Sequence, residues 1–305
     1  MKKNILISRI RNPLYRGVLF GLLVLFAMAP FQSRAEVIRS AISSDGVTFT
    51  IEPGLRTTGI YVDPYILVAK QGNWVGLFST SPAPSVLPQV IYVGTSVDGL
   101  TWSMENTPII TVPGSNALDP TAVPLGDGSY RVYYSATPGN NPFAGFFLKS
   151  GILRPKTNSN NDEDGEIEVS DSKWSFAEDG VNLGILGVSP EAILLDDGDV
   201  RLYVTGIGMK VYRSGDGLTF VQETAILPSG SDPTLIRLDD DTYRMYYVDR
   251  GQGAELIWTA TSIDGLNWQK ESSTGIGNIA GSQAWGVPDS IELPDGRIRL
   301  YWVDM

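Results

Sequence analysis

The feature that most constrains this chain is a repeat that becomes whole only when its two ends are joined. Five times the sequence sets an acid beside a proline, runs through an apolar stretch, turns on Gly or Asp and ends in a second apolar, mostly aromatic stretch. The copies begin Asp63-Pro64-Tyr65-Ile66-Leu67, Asp119-Pro120-Thr121-Ala122-Val123, Pro190-Glu191-Ala192-Ile193-Leu194, Asp232-Pro233-Thr234-Leu235-Ile236 and Pro288-Asp289-Ser290-Ile291. They lead to runs at 74–78, 130–134, 200–203, 243–247 and 298–302. A second motif, Ser-x-Asp-Gly-x-Thr/Asn-aromatic, alternates with the first at 43–49, 96–102, 214–220 and 262–268. Asp-Gly between two alternating runs is a hairpin signal, because the turn needs positive φ.

Each unit therefore holds four short strands, and five such units predict an all-β five-bladed β-propeller. The termini predict how it closes. The first hairpin, 37–50, supplies strands three and four of a unit, whereas the C-terminal 291–304 supplies strands one and two. Neither is complete alone, and together they make the last blade, leaving no sheet edge open between first and last units. A single propeller domain over 36–305 is expected, with no amphipathic helix.

The first 35 residues stand outside this pattern. Lys2, Lys3, Arg9, Arg11 and Arg16 precede an unbroken apolar run over 17–29, and Ser33-Arg34-Ala35 sets small residues at −3 and −1 of a cleavage point before Glu36. This is the pattern of a secretory signal peptide. The run is short of the roughly 20 residues of a membrane span, although an uncleaved anchor is the alternative. Removing the segment takes away six basic residues and no acidic one. The charge moves from −11 for all 305 residues to −17, with 17 basic groups against 34 acidic. A secreted or periplasmic, monomeric protein is expected, with no membrane contact after cleavage. So acidic a chain is a poor nucleic-acid ligand, since that binding rests on phosphate neutralisation.

Cysteine and histidine are both absent. Disulfides, Cys-ligated metal, thiol nucleophiles and Ser-His-Asp machinery are thereby excluded, and acid–base chemistry falls chiefly to carboxylates. In a propeller the first strand of each blade lines the central channel. Aligned on the repeat, Asp63, Asp119, Glu191, Asp232 and Asp289 should converge at one mouth, where close carboxylates raise one another's pKa. Such a ring can supply a general acid and a general base. The same carboxylates could instead accept backbone N–H bonds at the start of each strand. Tyr61, Phe143 and Trp285 are candidates for stacking on a ligand near that mouth, with ordinary packing as the alternative. Arg131, Arg201, Arg244 and Arg299 recur at one register, which reads as inter-blade ties or solvent-facing residues rather than ligands.

Unit two carries a polar insertion at 153–172. Within it, Asn160, Asp162, Asp164, Gly165, Ile167 and Asp171 match positions 1, 3, 5, 6, 8 and 12 of an EF-hand calcium loop. Asn160, Asp162, Asp164 and Asp171 are thus candidate ligands of a structural Ca2+, against the reading of a solvated acidic loop. No cofactor is required.

With these motifs in hand, the chain resembles the five-bladed glycoside hydrolases, the arabinanase, β-xylosidase, levansucrase and invertase superfamily. The resemblance covers the repeat pattern over 36–305, including the Asp-Pro strand starts and Asp-Gly-x-x-aromatic hairpins. It implies Asp63 as base or nucleophile, Asp119 as the orienting, pKa-tuning partner and Glu191 as acid, with Asp232, Asp289, Tyr61, Phe143 and Trp285 around an oligo- or polysaccharide. In that family Gly/Ala-Pro commonly follows the acid Glu, whereas here Pro190 precedes Glu191, and a channel histidine is missing. The Asp-Gly hairpins also resemble sialidase Asp boxes, but those enzymes have six blades. The expected function is glycoside hydrolysis by two carboxylates, of the inverting, arabinanase-like kind; the alternative is a non-catalytic glycan-binding or scaffold propeller.

Overall fold

The computed structural model describes residues 36–57, 60–70, 72–80, 88–137, 145–156, 173–249, 251, 256–277 and 284–304, apart from the side chains of 69, 70, 284 and 285. The first 35 residues, Phe143 and the candidate calcium loop lie outside the described residues, as does the side chain of Trp285.

Twenty strands form five four-stranded antiparallel sheets. Blade 1 is β3 (Tyr61–Lys70), β4 (Asn73–Thr80), β5 (Ile91–Ser96) and β6 (Ser103–Met104). Blade 2 is β7 (Ala117–Pro124), β8 (Tyr130–Ala136), β9 (Phe147–Pro155) and β10 (Trp174–Glu178). Blade 3 is β11 (Val188–Leu194), β12 (Val200–Gly206), β13 (Gly208–Ser214) and β14 (Val221–Glu223). Blade 4 is β15 (Ser231–Arg237), β16 (Tyr243–Asp249), β17 (Leu256–Ser262) and β18 (Gln269–Ser273). Blade 5 runs β19 (Ala284–Glu292), β20 (Ile298–Asp304), β1 (Val37–Ser43), β2 (Thr50–Ile51), so the two ends of the chain share one sheet. Its closing ladder pairs Val37 with Asp304 through to Ser43 with Ile298. This is the five-bladed propeller, closed as expected, within one compact unit of Arg34–Met305.

The core is divided among the seams between blades. One cluster joins Val75, Leu77 and Val93 of blade 1 to Ala122, Val132 and Tyr134 of blade 2. Equivalent clusters fill the seams of blades 2 and 3, 3 and 4, 4 and 5, and 5 and 1. Alternation along each strand therefore buries residues against the neighbouring blade rather than against a common centre.

The Asp-Gly hairpins add a polar tie to four of these seams. In each, the Asp carboxylate caps the turn, Asp45 Oδ1 accepting Val47 and Thr48 N–H at 2.8 and 2.7 Å, and at three of them the Ser hydroxyl accepts the glycine N–H, Ser43 Oγ that of Gly46 at 2.9 Å. The turn glycines have φ of 72°, 73°, 72° and 70° at Gly46, Gly99, Gly217 and Gly265. Each glycine carbonyl then accepts a tyrosine hydroxyl from the preceding blade. The four bonds are Tyr133 to Gly217 at 2.9 Å, Tyr203 to Gly265 at 2.5 Å, Tyr246 to Gly46 at 2.9 Å and Tyr301 to Gly99 at 2.8 Å. Arginines two residues earlier reinforce three of them, Arg201 on the Asp264 carbonyl, Arg244 on Asp45 and Arg299 on Asp98. Arg131 lies against Gly217 and pairs with Asp179. The recurring arginines are thus inter-blade ties. The seam between blades 1 and 2 has no counterpart among the described residues. Val75 and Leu77 stand where the other blades have Arg and Tyr, facing the blade whose hairpin is replaced by the insertion.

Candidate functional site

Every first strand carries a β-bulge at its proline. The register shifts between Val62 and Tyr65, Leu118 and Thr121, Val188 and Glu191, Ser231 and Thr234, and Gly286 and Asp289. In each bulge the residue before proline is left-handed: Asp63 at φ 47°, Asp119 at 50°, Ser189 at 47°, Asp232 at 54° and Val287 at 45°. Left-handed backbone costs non-glycine residues free energy, least for Asp and Asn and most for β-branched Val. The bulges re-aim these five side chains, so they are the structural equivalents at the mouth.

Proline, not the acid, is therefore the fixed point of the repeat, and the five expected acids form two layers. Asp63, Asp119 and Asp232 line one cavity of about 200 Å3, together with Glu36, Gln89 and Val287. In blades 3 and 5 the acid follows the proline. Glu191 and Asp289 consequently share the register of Tyr65, Thr121 and Thr234, opposite Tyr203 and Tyr301 of the adjoining strands. They line a separate cavity of about 320 Å3 with Tyr65, Leu235, Arg237 and Glu292. Ser189 and Val287 occupy the mouth positions that the repeat was expected to give to Glu191 and Asp289. The convergence of all five acids at one mouth is thus corrected to three there and two in the deeper layer.

That deeper layer is a closed circle of hydrogen bonds, each running to the residue one further along in the next blade. Tyr65 hydroxyl donates to the Ala122 carbonyl at 2.6 Å, Ala192 N–H to Thr121 Oγ1 at 3.0 Å and Leu235 N–H to Glu191 Oε1 at 2.9 Å. Ser290 N–H donates to Thr234 Oγ1 at 3.1 Å, and Ile66 N–H to Asp289 Oδ2 at 3.0 Å. Glu191 also accepts the hydroxyls of Thr121 at 3.2 Å and Thr234 at 3.4 Å, so both its oxygens are engaged. Burial pushes its carboxyl up to about 7. Burial, and then the Glu191 charge, raises Asp289 well above the carboxylate range. The backbone-accepting alternative considered for the acids is what Glu191 and Asp289 do.

At the mouth the electrostatics differ. Asp63, Asp119 and Asp232 are 7, 5 and 8% exposed. Burial, followed by the adjacent Asp119 charge, raises Asp63 far above its ordinary value, and burial followed by Asp232 raises Asp119 to about 6. Ser189 N–H donates to Asp119 Oδ2 at 3.0 Å while its hydroxyl reaches Asp232 Oδ1 at 2.6 Å, and Ser231 Oγ donates to Asp232 Oδ2 at 2.8 Å. Three carboxyls thus line one cavity, and Asp119 and Asp232 accept the bonds from Ser189 and Ser231.

Tyr61 does not line this cavity; it packs edge-on to Tyr92, ring centroids 5.4 Å apart, against the cluster of Ile38 and Phe78. Among the described residues no group of three or more Asp or Glu is arranged to hold a metal ion. Ser189, Ser231, Glu36 and Gln89 were not picked out from the sequence. Counting outward from each proline would have found Ser189.

No protein-family model matches the chain, and no curated protein matches it in sequence. Solved structures do match. A β-1,3-galactosidase of glycoside hydrolase family 43, solved with galactodeoxynojirimycin, aligns over 81% of this chain and 90% of its own, with 13% identity and a TM-score of 0.57. A family 117 glycoside hydrolase from Zobellia galactanivorans aligns over 80% of this chain and 84% of its own, with 15% identity and a TM-score of 0.53. An N-acetylgalactosamine deacetylase from F. plautii, solved with blood group B trisaccharide, aligns over 89% and 96%, with 11% identity and a TM-score of 0.57. This is a likeness of fold, and it bears out the resemblance to five-bladed glycoside hydrolases at that level. The same fold carries more than one chemistry.

Proposed function

We propose that the chain is an exported carbohydrate-active propeller that takes one sugar unit at the Asp63–Asp119–Asp232 mouth and hydrolyses its glycosidic bond with carboxylates alone. The observation that carries this reading is geometric: one small cavity gathers three buried carboxyls, Asp63, Asp119 and Asp232, from three different blades. Burial and the neighbouring Asp119 charge raise the Asp63 carboxyl, which suits it to carry a proton. Asp63 is the proton donor to the leaving oxygen. Asp119 is the neighbouring charge that raises Asp63, which suits it to tuning Asp63; the two reacting carboxylates stand about 5–5.5 Å apart for retention or 6.5–9.5 Å for inversion. Asp232 is therefore the second carboxylate and Asp119 the tuning group. Inversion remains the expected outcome. Glu191, with both oxygens bonded between blades, acts here as a positioning residue rather than as the acid. The basic and then apolar first 35 residues support export.

A second reading, sugar binding without turnover, is favoured by one observation: the third blade presents Ser189, not an acid, at the mouth. One experiment separates the two. Wild-type protein, Asp63→Asn, Asp232→Asn and Glu191→Gln are incubated with arabino-, xylo-, galacto- and fructo-oligosaccharides. Binding is followed by calorimetry, and product and its anomer by proton NMR. Turnover that falls by about 10²–10⁴ in the two Asp variants and survives in Glu191→Gln supports hydrolysis. Binding without product supports the second reading, and no binding to any sugar would sink both.

A further inference from the structure

The ladder that closes the propeller sets Glu36 at the Asp cavity. Val37 opens β1 and pairs with Asp304. Glu36, one residue earlier, lines the cavity together with Asp63, Asp119 and Asp232. Gly286, Val287 and Val303 of the same closing blade line it too, so this wall is fixed where the two ends of the chain meet. Glu36 is 9% exposed, and its charge is among those that raise Asp63. Four acids thus line the cavity, and no Lys or Arg is among the described residues that do. Opposite Val37, the buried Asp304 gives Oδ2 to Arg39, while its Oδ1 has no hydrogen-bond partner. Buried carboxyls gathered in this way favour a cation among them.

The chain can make that cation from its own backbone. Residue 36 is the first after the expected cleavage point at Ser33-Arg34-Ala35. While its bond to Ala35 is intact, the Glu36 nitrogen is a neutral amide with one N–H. Hydrolysis adds water across that bond. Ala35 leaves as a carboxylate, and the Glu36 amine takes a proton to become an ammonium, ordinarily with a pKa of about 7.7–8. The nitrogen is one bond from the Cα of a buried, cavity-lining residue, so the new charge arises at the cavity wall. Asp63 of β3, Asp119 of β7, Asp232 of β15, Asp304 of β20 and the Glu36 side chain all attract it. Arg39 of β1 is the nearby like charge, and it already pairs with Asp304.

We propose that removal of the first 35 residues gives the Asp cavity its own cation, the α-ammonium of Glu36, so that processing completes a site the uncut chain lacks. The ammonium acts through the carboxyls as a positioning group, favouring an ionised carboxylate beside the protonated one. The inference rests on the export reading and not on the sugar reading. Its test starts from the full chain exported by a bacterial host, with mass spectrometry locating the cut. The α-amine is then given isotope-labelled methyl groups, which keep its charge, and is titrated by NMR. Three proteins are compared: the chain from Glu36, the chain from Ala35, and the chain from Glu36 with Asp63→Asn/Asp304→Asn. The Ala35 chain keeps the native sequence and moves the ammonium outward by one residue, so it should fold, and circular dichroism checks all three. The expected result is a product that begins at Glu36 and holds its α-proton about tenfold or more tighter than an ordinary terminus, one pH unit. That gain should vanish in the other two proteins. An ordinary value in the Glu36 chain, or a gain that persists in either comparison protein, overturns the inference and leaves export standing. A cut at another bond also overturns it alone, whereas an uncut chain removes export with it.

Discussion

Ser189 joins two of the three mouth carboxylates, its N–H on Asp119 Oδ2 at 3.0 Å and its hydroxyl on Asp232 Oδ1 at 2.6 Å. Ser189→Asp replaces a donor with a fourth buried carboxyl, which must either stay protonated or repel its neighbours. The variant is expected to lose a few kcal/mol of stability at pH 8, and less at pH 5, where the added group is neutral. Thermal melts at the two pH values check this; an equal loss at both would contradict it.

The buried carboxyls give the whole molecule a pH dependence of stated sign. Glu191 rises from 4.5 to about 7 and Asp119 from 3.8 to about 6 on folding, so the folded state binds these protons more tightly than the unfolded chain. For a raised acid, stability is highest below the unfolded pKa and falls as pH climbs through the window between the two values. Stability should therefore drop between about pH 4 and 7. Glu191→Gln keeps an oxygen for the Leu235 N–H and carries no charge. It should flatten this drop by on the order of 3 kcal/mol, the equivalent of its shift at 1.36 kcal/mol per unit. Denaturant midpoints of both proteins from pH 4 to 8 provide the measurement, and parallel curves would remove Glu191 as the source.

Two glycines with nearly the same φ should respond very differently to alanine. At Gly265, φ 70°, a Cβ would lie 2.7 Å from Arg201 Nη1 and 2.9 Å from the Tyr203 hydroxyl; at Gly126, φ 78°, it meets nothing within 4 Å. Gly126→Ala should cost only the left-handed backbone, about 1–2 kcal/mol. Gly265→Ala should add the loss of buried hydrogen bonds to the Gly265 and Asp264 carbonyls, about 1–3 kcal/mol each when left unsatisfied. Urea titrations of the pair would show whether the inter-blade ties carry that weight.

Val287 is a β-branched residue at φ 45° on the rim of the Asp cavity. Such backbone strain costs roughly 1–3 kcal/mol. Asn tolerates the same conformation, so Val287→Asn should raise the melting temperature by a few degrees, at about 2–4 °C per kcal/mol for a chain of this size. An unchanged or lower melting temperature would mean that the Val287 side chain contributes packing that outweighs its strain.

The sequence carried the architecture because the repeat is written in residues whose physics is local. Asp-Gly at 45–46 or 264–265 can hardly be anything but a turn, and a chain that starts on half a blade and ends on the other half has one way to close. The site was less legible because two different side-chain layers use the same letters. Asp63 and Glu191 both sit beside a proline, but one precedes it and is thrown into the mouth by the bulge, whereas the other follows it and points at the next blade. Only the proline, which fixes where the bulge falls, distinguishes them.

Among the described residues, the seam between blades 1 and 2 is filled by an apolar cluster and lacks the tyrosine and arginine bonds to a hairpin turn that cross the other four, Tyr65 reaching only the Ala122 carbonyl. Apolar burial weakens on cooling, whereas a directional hydrogen bond keeps its geometry. Chilled toward the freezing point, the propeller should therefore loosen at this joint before the others. Sulfate, which strengthens apolar burial, should restore it. The chain itself crosses that joint through residues 105–116, so blades parted by cold stay tethered at close range and can rejoin on warming without a search for one another.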